Sequence, residues 1–528
     1  MPIPSFSMVK MSSCSSLGVL LFALVACGDD ASSSTSNPTG VAGGGGSSSG
    51  GSAGTSSGSS GQNGGSSGTS AGGSSAGGSS AGGAGGGAVA GCGDYVSGAD
   101  FQVCTATYLA GAGDDAVGGV DVGTDGAVLV GMKLPGQDLG ATPAVLEGGG
   151  DGVVVRLDST GTKVQSITRV GGTVTDLQVD PSTGNIAISG DFGVALLDPT
   201  ATTLLWKKAT PGGQAKRVAA AGGLVAALAG KTVTILDGAG VALKSIEVGG
   251  KDINDIALDG QSKAVVVTGY KQDDGDKCSQ YKSTFLRSYG LDEALRWTNY
   301  DWTKADVGAS GDCADSTGLA LAVGRDGKLY YAGKSDGGNT VHQKDPRDLA
   351  KKGPVVSFDQ FNTPYGFKGA NSLGFYARFS LADGLIEQGQ FMVARKGDGG
   401  PQAEANAATP SAIAADEDGN VLVSGTAAAR IQGLPEKSVG GQKIGPYASY
   451  EGFLLVVSPD FQKRLSWTSF TATGPADGRA VAASGKIGVY AASQSAEQTA
   501  KGSLITASPL VGGPAGGADG YLVVFPAP

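Results

Sequence analysis

From about residue 117 one pattern returns to the end of the chain, and no other feature restricts the fold as tightly. Each copy has a short strand rich in Ala, Gly and Val, a turn holding Gly or Asp, and a β-branched strand ending in Gly. After a gap of variable length two further strands follow. The copies open on "GGVDVGTDGAVLVG", "VTDLQVDPSTGNIAISG", "KRVAAAGGLVAALAG", "INDIALDGQSKAVVVTGY", "GLALAVGRDGKLYYAGKS", "SAIAADEDGNVLVSGTA" and "RAVAASGKIGVYAASQ". A unit of roughly 40 residues cannot bury its apolar face alone, so such copies must stack on one another. The pattern reads as all-β: a single β-propeller of seven four-stranded blades. A tandem array of two-sheet sandwiches is the alternative.

The seventh copy runs out of chain before its fourth strand. Ahead of the first copy, "CTATYLAGAGDD" (104–115) reads as the end of a unit. Thr105–Ala110 is therefore expected to supply the missing strand, closing the ring with an N-terminal strand and removing an exposed sheet edge. Small first strands suit a crowded position near the axis. Trp206, Trp297 and Trp467, each in a fourth strand, read as packing between blades.

The opening residues have a different logic. Lys10 precedes Leu17–Ala26, an apolar run too short to span a bilayer and suited to a signal-peptide core. Met8 and Met11 are alternative starts. Leu24-Val25-Ala26-Cys27 resembles a bacterial lipobox, in which Cys27 becomes the lipidated first residue. Residues 31–91 are mostly Gly, Ser and Ala with no aromatic residue, and cannot bury enough surface to offset ordering entropy. As a flexible coil the segment spans on the order of 40–50 Å. The expected organisation is a signal peptide at 1–26, a lipidated cysteine and disordered linker at 27–91, and the propeller at 92–528.

With Cys27 acylated, Cys92, Cys104, Cys278 and Cys313 remain, an even number in an oxidising compartment. Proximity in sequence favours Cys92–Cys104 and Cys278–Cys313, one of three pairings. The net charge of −10 argues against nucleic acid as a partner. The single histidine, His342, removes His-based triads and His-rich metal sites from consideration.

The repeat, cleanest in "AADEDGNVLVSG", resembles the bacterial β-propeller repeats of exported proteins with an xVDxxGNxYVxG core. "LLDPTATTLLWKK" also resembles quinoprotein-type propeller repeats. Lipobox, Gly/Ser tether and propeller together resemble surface lipoproteins of myxobacteria. The resemblance covers about residues 105–525 and implies fold and location, with little chemistry. It implies a cell-envelope protein, anchored to the membrane by its lipid; Gly28 after the cysteine favours the outer membrane.

Extra residues fall at one place in five copies, between the second and third strands: about 132–150, 271–283, 334–372, 427–450 and 494–518. Alternating strand direction would bring these loops out on one face, with a notch over the two bare copies. Loops on a rigid scaffold are where binding sites are usually built. The longest is basic and aromatic, holding Lys334, Lys344, Arg347, Lys351, Lys352 and Lys368 beside Phe358, Phe361, Tyr365 and Phe367. Lys344, Arg347, Tyr365 and Phe367 are the candidate ligand-binding residues, for a protein or glycan on the loop-bearing face. Packing of the loop's aromatics onto the disc is the equal alternative.

Other chemistry is thin. Asp416–Asn420 and Asp273–Asp276 invite calcium, yet neither has the ligand spacing of an EF-hand, and Asp416–Asn420 sits where every copy has a turn. No metal site or cofactor is expected, with calcium at Asp273–Asp276 the weak exception. No phosphate loop or nucleophile elbow has its required setting. No catalytic set can be named, so the expectation leans to a non-enzymatic binding module. The alternatives are a propeller enzyme of lyase, lactonase or glycosidase type, with acidic residues at the axis, and an envelope-assembly scaffold.

Overall fold

The computed structural model describes residues 92–528 apart from 137–138, 149, 274–277, 279–280, 357–371, 398–404 and 432–436. The expected signal peptide, Cys27, the linker, Asp274–Asp276, Tyr365 and Phe367 lie outside the described residues. The fold is all-β. Among the described residues seven antiparallel sheets each hold four strands in meander order, and the first and fifth carry an additional two-residue edge strand. Their inner strands are Ala116–Val122, Val174–Val179, Arg217–Ala221, Asp252–Asp259, Ser316–Val323, Ala408–Ala415 and Asp477–Ser484. Each inner strand neighbours that of the next sheet, and Asp477–Ser484 neighbours Ala116–Val122.

Small residues permit this succession. At Gly478 an added Cβ would lie 2.5 Å from the Gly425 carbonyl oxygen of the sixth sheet, so only glycine lets the sixth and seventh sheets approach. Six of the seven inner strands also carry a register shift against their second strand, at Val117/Gly119, Val174/Asp176, Ile253/Asp255, Gly318/Ala320, Pro410/Ala412 and Gly478/Ala480. Bulges of this kind bend a strand and increase its twist. Their recurrence shows that the repeat extends to backbone irregularities.

The third-to-fourth-strand turns recur as well. Gly161, Ala201, Gly240, Glu293, Gly384 and Phe461 all take φ between 60° and 76° at the same point of the turn. Trp206 and Trp297 rest on two of them. The Trp206 ring lies where a Gly240 Cβ would come within 2.8 Å, and its Nε1 donates to the Gly238 carbonyl at 3.0 Å. Trp297 covers Gly384 in the same way. Both rings fill gaps between adjacent sheets.

The strand Thr105–Leu109 pairs antiparallel with the last strand, Asp519–Pro526, from Thr105↔Val524 to Leu109↔Gly520. Its other side is covered by residues 504–511, through the Ala106↔Ala507 bridge and the Thr107 hydroxyl, which accepts from the N–H groups of Leu510 and Val511. Disulfides join Cys92 to Cys104 and Cys278 to Cys313. The first of these ties the entering chain to the residue that precedes the seam strand.

The long insertions differ from a simple rim of loops. In the first and fifth sheets they turn back to add Ala144–Val145 and Val355–Val356, parallel to the fourth strand. In the sixth, Ser438–Val439 pairs with Asp100–Phe101. In the seventh, residues 504–511 line the seam. The reason is the edge itself: an outer strand with free N–H and C=O groups is best covered by the nearest spare chain.

Candidate functional site

A cavity of about 810 Å³ is lined by the inner strands of all seven sheets. Along most of its wall those strands offer Ala, Val, Leu and Ile. Charged residues interrupt them, and three fall together on consecutive sheets: Asp176, Arg217 and Asp255. Arg217 Nε lies 3.4 Å from Asp255 Oδ1. Asp176 accepts the N–H groups of Leu177 and Val218 at 2.9 and 3.0 Å, so its carboxylate links the second sheet to the third. Asp255 does the same between the fourth and fifth, accepting from Ile256 and Leu321. Asp121 repeats the arrangement from the first sheet, accepting from Val122 and Val179.

Stapling to the backbone does not offset the burial of two of them, Asp176 and Asp255. Burial, opposed by Arg217 and aided by Asp255, lifts the Asp176 carboxyl to about 7. Burial also raises Asp255. For Arg217, burial alone would favour the neutral form, but Asp255 and Asp176 outweigh it and hold the guanidinium protonated.

The cavity has two unlike ends. Where the inner strands finish, Arg325 of the fifth sheet crosses to the first, its Nη2 donating to Asp121 Oδ1 at 3.1 Å and to the Val122 carbonyl at 3.2 Å. Toward the strand starts, Arg479 is 52% exposed beside Asp477. Solvent reaches the charged level, where the Arg217 side chain is 34% exposed. Gly119 makes room for the nearest carboxylate: a Cβ there would meet Leu177 N at 2.6 Å and Asp176 Oδ1 at 2.8 Å. We expect Gly119→Ala to cost roughly 1–3 kcal/mol, because backbone must shift at a close sheet contact. Urea denaturation checks this; an unchanged midpoint would show that the contact can relax.

The residues singled out from sequence sit elsewhere. Lys344 pairs with Asp312 at 3.4 Å, beside the Cys278–Cys313 bridge. Arg347 donates from Nε to Asn299 Oδ1 at 2.8 Å and from Nη2 to the Asp383 carbonyl, next to the turn that Trp297 covers. Both are engaged in holding the insertion against its neighbours. His342 is wholly buried, stacked on Phe375 at 4.6 Å with Nε2 against the Tyr331 hydroxyl at 3.0 Å, and burial pushes it down to about 3. It is a neutral core residue. Asp416 organises its turn, accepting from the Asp418 and Asn420 N–H groups. The charged trio in the cavity escaped the sequence reading although a signal existed. Asp in "VTDLQV" and "INDIALD" and Arg in "KRVAAA" break strands otherwise made of small or apolar residues.

No protein-family model matches the chain, and no curated protein matches it in sequence. Solved structures match in shape at very low identity. A chain of the Kuenenia stuttgartiensis hydrazine synthase structure aligns with a TM-score of 0.42 and 9% identity, over 74% of this chain and 95% of that one. A chain of a mitotic checkpoint complex crystal structure aligns with a TM-score of 0.42 and 10% identity, over 82% and 97%.

Proposed function

We propose that the seven sheets are the blades of one β-propeller closed by its N-terminal strand. On this reading Cys27 and the Gly/Ser segment tether it to a membrane of the cell envelope, and the propeller serves as a binding module. The succession of inner strands and the pairing of Thr105–Leu109 with Asp519–Pro526 support the closed ring. The observation that carries the binding reading is the cavity of about 810 Å³, a size that takes small ligands, with charged and polar groups set among the apolar residues of its wall. Thermal-shift measurements across charged and neutral small molecules test it, comparing the wild type with Ala412→Phe, which fills the cavity. A shift lost in the variant supports the reading; a panel without any Ala412-dependent shift overturns it.

The tether makes its own prediction. Cys27→Ala is expected to move the protein from the membrane to the soluble fraction, since lipidation replaces a spanning helix as anchor. Persistent membrane association would remove the lipid anchor from the proposal. Protease treatment of intact cells would then assign the propeller to the outer surface or the periplasm.

An enzyme reading gains something from Asp176 and Asp255, which flank Arg217 in the cavity. Every oxygen of the two carboxylates already accepts a backbone N–H, however, which suits stapling sheets better than moving protons. The binding reading is therefore preferred.

A further inference from the structure

We infer that the cavity binds a small organic monocation, an alkylammonium or guanidinium, with Asp176 as its counter-ion. The inference rests on the binding-module reading and adds the charge and class of the ligand. Its ground is the pairing of charges around the cavity. Arg217 has Asp255 at 3.4 Å, Arg325 has Asp121 at 3.1 Å, and Arg479 has Asp477 at 3.6 Å. Lys328, at the far end, has Glu387 at 2.6 Å. Asp259 is occupied by the Gln261 N–H and the Ser262 hydroxyl of its own turn. Asp176 likewise has no cation of its own among the described residues, but unlike Asp259 it lies at the Arg217–Asp255 level, where it accepts only backbone N–H groups and shares Arg217 with Asp255.

The signs decide the ligand. A carboxylate entering the cavity would have to take Arg217 from Asp255 while approaching Asp176. An ammonium would instead complete two ion pairs from two carboxylates and one guanidinium, and each oxygen of Asp176 keeps a second lone pair to accept its N–H. The sixth and seventh sheets offer the apolar remainder of such a ligand Ala412, Ala414, Ala480 and Ala482. The cavity continues past Arg325 to exposed turn residues such as Ser182 and Gln261, and Arg479 stands toward its other end.

Binding is coupled to a proton. Asp176 holds its proton up to about 7, and an arriving cation displaces it. The groups facing Asp176 are Arg217 and Asp255, with the Lys216–Asp252 pair at 3.0 Å and the Arg325–Asp121 pair nearby on their own elements; the adjoining stretch of the first sheet offers only Gly119. Of these, Asp255 is the other group whose titration burial has raised, and its loss of a proton acts in the same direction.

Titration calorimetry of the full-length protein with hexylammonium chloride and with sodium hexanoate tests the inference. Hexylammonium should bind and hexanoate should not. Its affinity should fall about tenfold from pH 8 to pH 6, following the ionised fraction of Asp176. Asp176→Asn should weaken binding tenfold or more and flatten that pH dependence, and Ala412→Phe should abolish binding. Should Asp176→Asn fail to fold, wild-type titrations at pH 7 in two buffers of different ionisation enthalpy should still report a proton released on binding. Hexanoate binding as tightly, hexylammonium binding without proton release, or affinity unchanged in Asp176→Asn would each overturn the assignment. Binding of neither probe would overturn it too, while the binding-module reading would stand or fall on its own panel.

Discussion

Removing residues 92–111 should abolish the cooperative unfolding of the whole domain, although the deleted segment contains only one five-residue strand of any length. Thr105–Leu109 is the fourth strand of the seventh sheet, buried along its entire length. Tyr108 is at its centre. Its hydroxyl donates to Gln494 Oε1 at 2.8 Å and accepts the Leu504 N–H at 2.7 Å, and its ring meets Tyr521 edge-on at 5.5 Å. Without the strand, Asp519–Pro526 becomes a long apolar edge, and residues 504–511 lose the partner they cover. Open edges of this kind recruit other chains, so aggregation on expression is part of the expected result. Two milder variants grade the effect. Tyr108→Ala should cost about 3–5 kcal/mol through its cavity, plus the stranded Gln494 amide oxygen. Thr107→Val keeps the shape but leaves the Leu510 and Val511 N–H groups without their acceptor, costing roughly 2–4 kcal/mol in all. Urea melts of the three proteins, and addition of a synthetic 92–111 peptide to the truncated chain, make the check. A truncated protein that melts like the wild type would disprove closure through this strand.

The seam shows how far the sequence alone could be read, and where it stopped. "TATYLAG" revealed itself as a displaced fourth strand because the repeat leaves a vacancy at the other end of the chain. Strand order, the turns and the two disulfides follow from periodicity and proximity, which are local properties. The course of the insertions does not. Val355–Val356 lies beside the fifth sheet because a free edge stood within reach, and nothing in "GPVVSF" announces that destination. The same limit hid the cavity. Asp176, Arg217 and Asp255 are separated by about 40 residues each, and only stacking of three sheets makes them neighbours. Lys344 and Arg347 stood out in sequence because they cluster, yet the fold spends both on local ties. Clustering along a chain measures proximity in one dimension. In a repeat fold, the equivalent positions of successive units carry the three-dimensional information.

Glu451→Gln should stabilise the protein at pH 8 by roughly 3 kcal/mol and leave it almost unchanged at pH 4. Glu451 begins the third strand of the sixth sheet and is 1% exposed. It accepts the Ala448 N–H at 3.0 Å, bracing a turn in which Ser449 and Tyr450 both take positive φ. Burial, only partly offset by the Ala448 N–H and the neighbouring polar groups, pushes its carboxyl up to about 7 from an ordinary 4.5. The folded state therefore binds this proton more tightly than the unfolded chain, so stability falls as pH rises between those two values. At about 1.4 kcal/mol per unit, the interval is worth roughly 3 kcal/mol. Gln cannot ionise, and its amide oxygen can still take the Ala448 N–H. The wild-type profile alone would conceal the effect, because His342 works against it. Held neutral down to about 3, His342 contributes stability that is lost as pH falls below its ordinary 6.5. The difference between variant and wild type cancels His342 and every other shared group. Paired urea melts from pH 4 to pH 8 should give a difference that grows through the interval and levels off above 7. A difference that is constant with pH would mean that Glu451 is no more acidic or basic in the fold than in the open chain, and that the turn is braced by its shape alone.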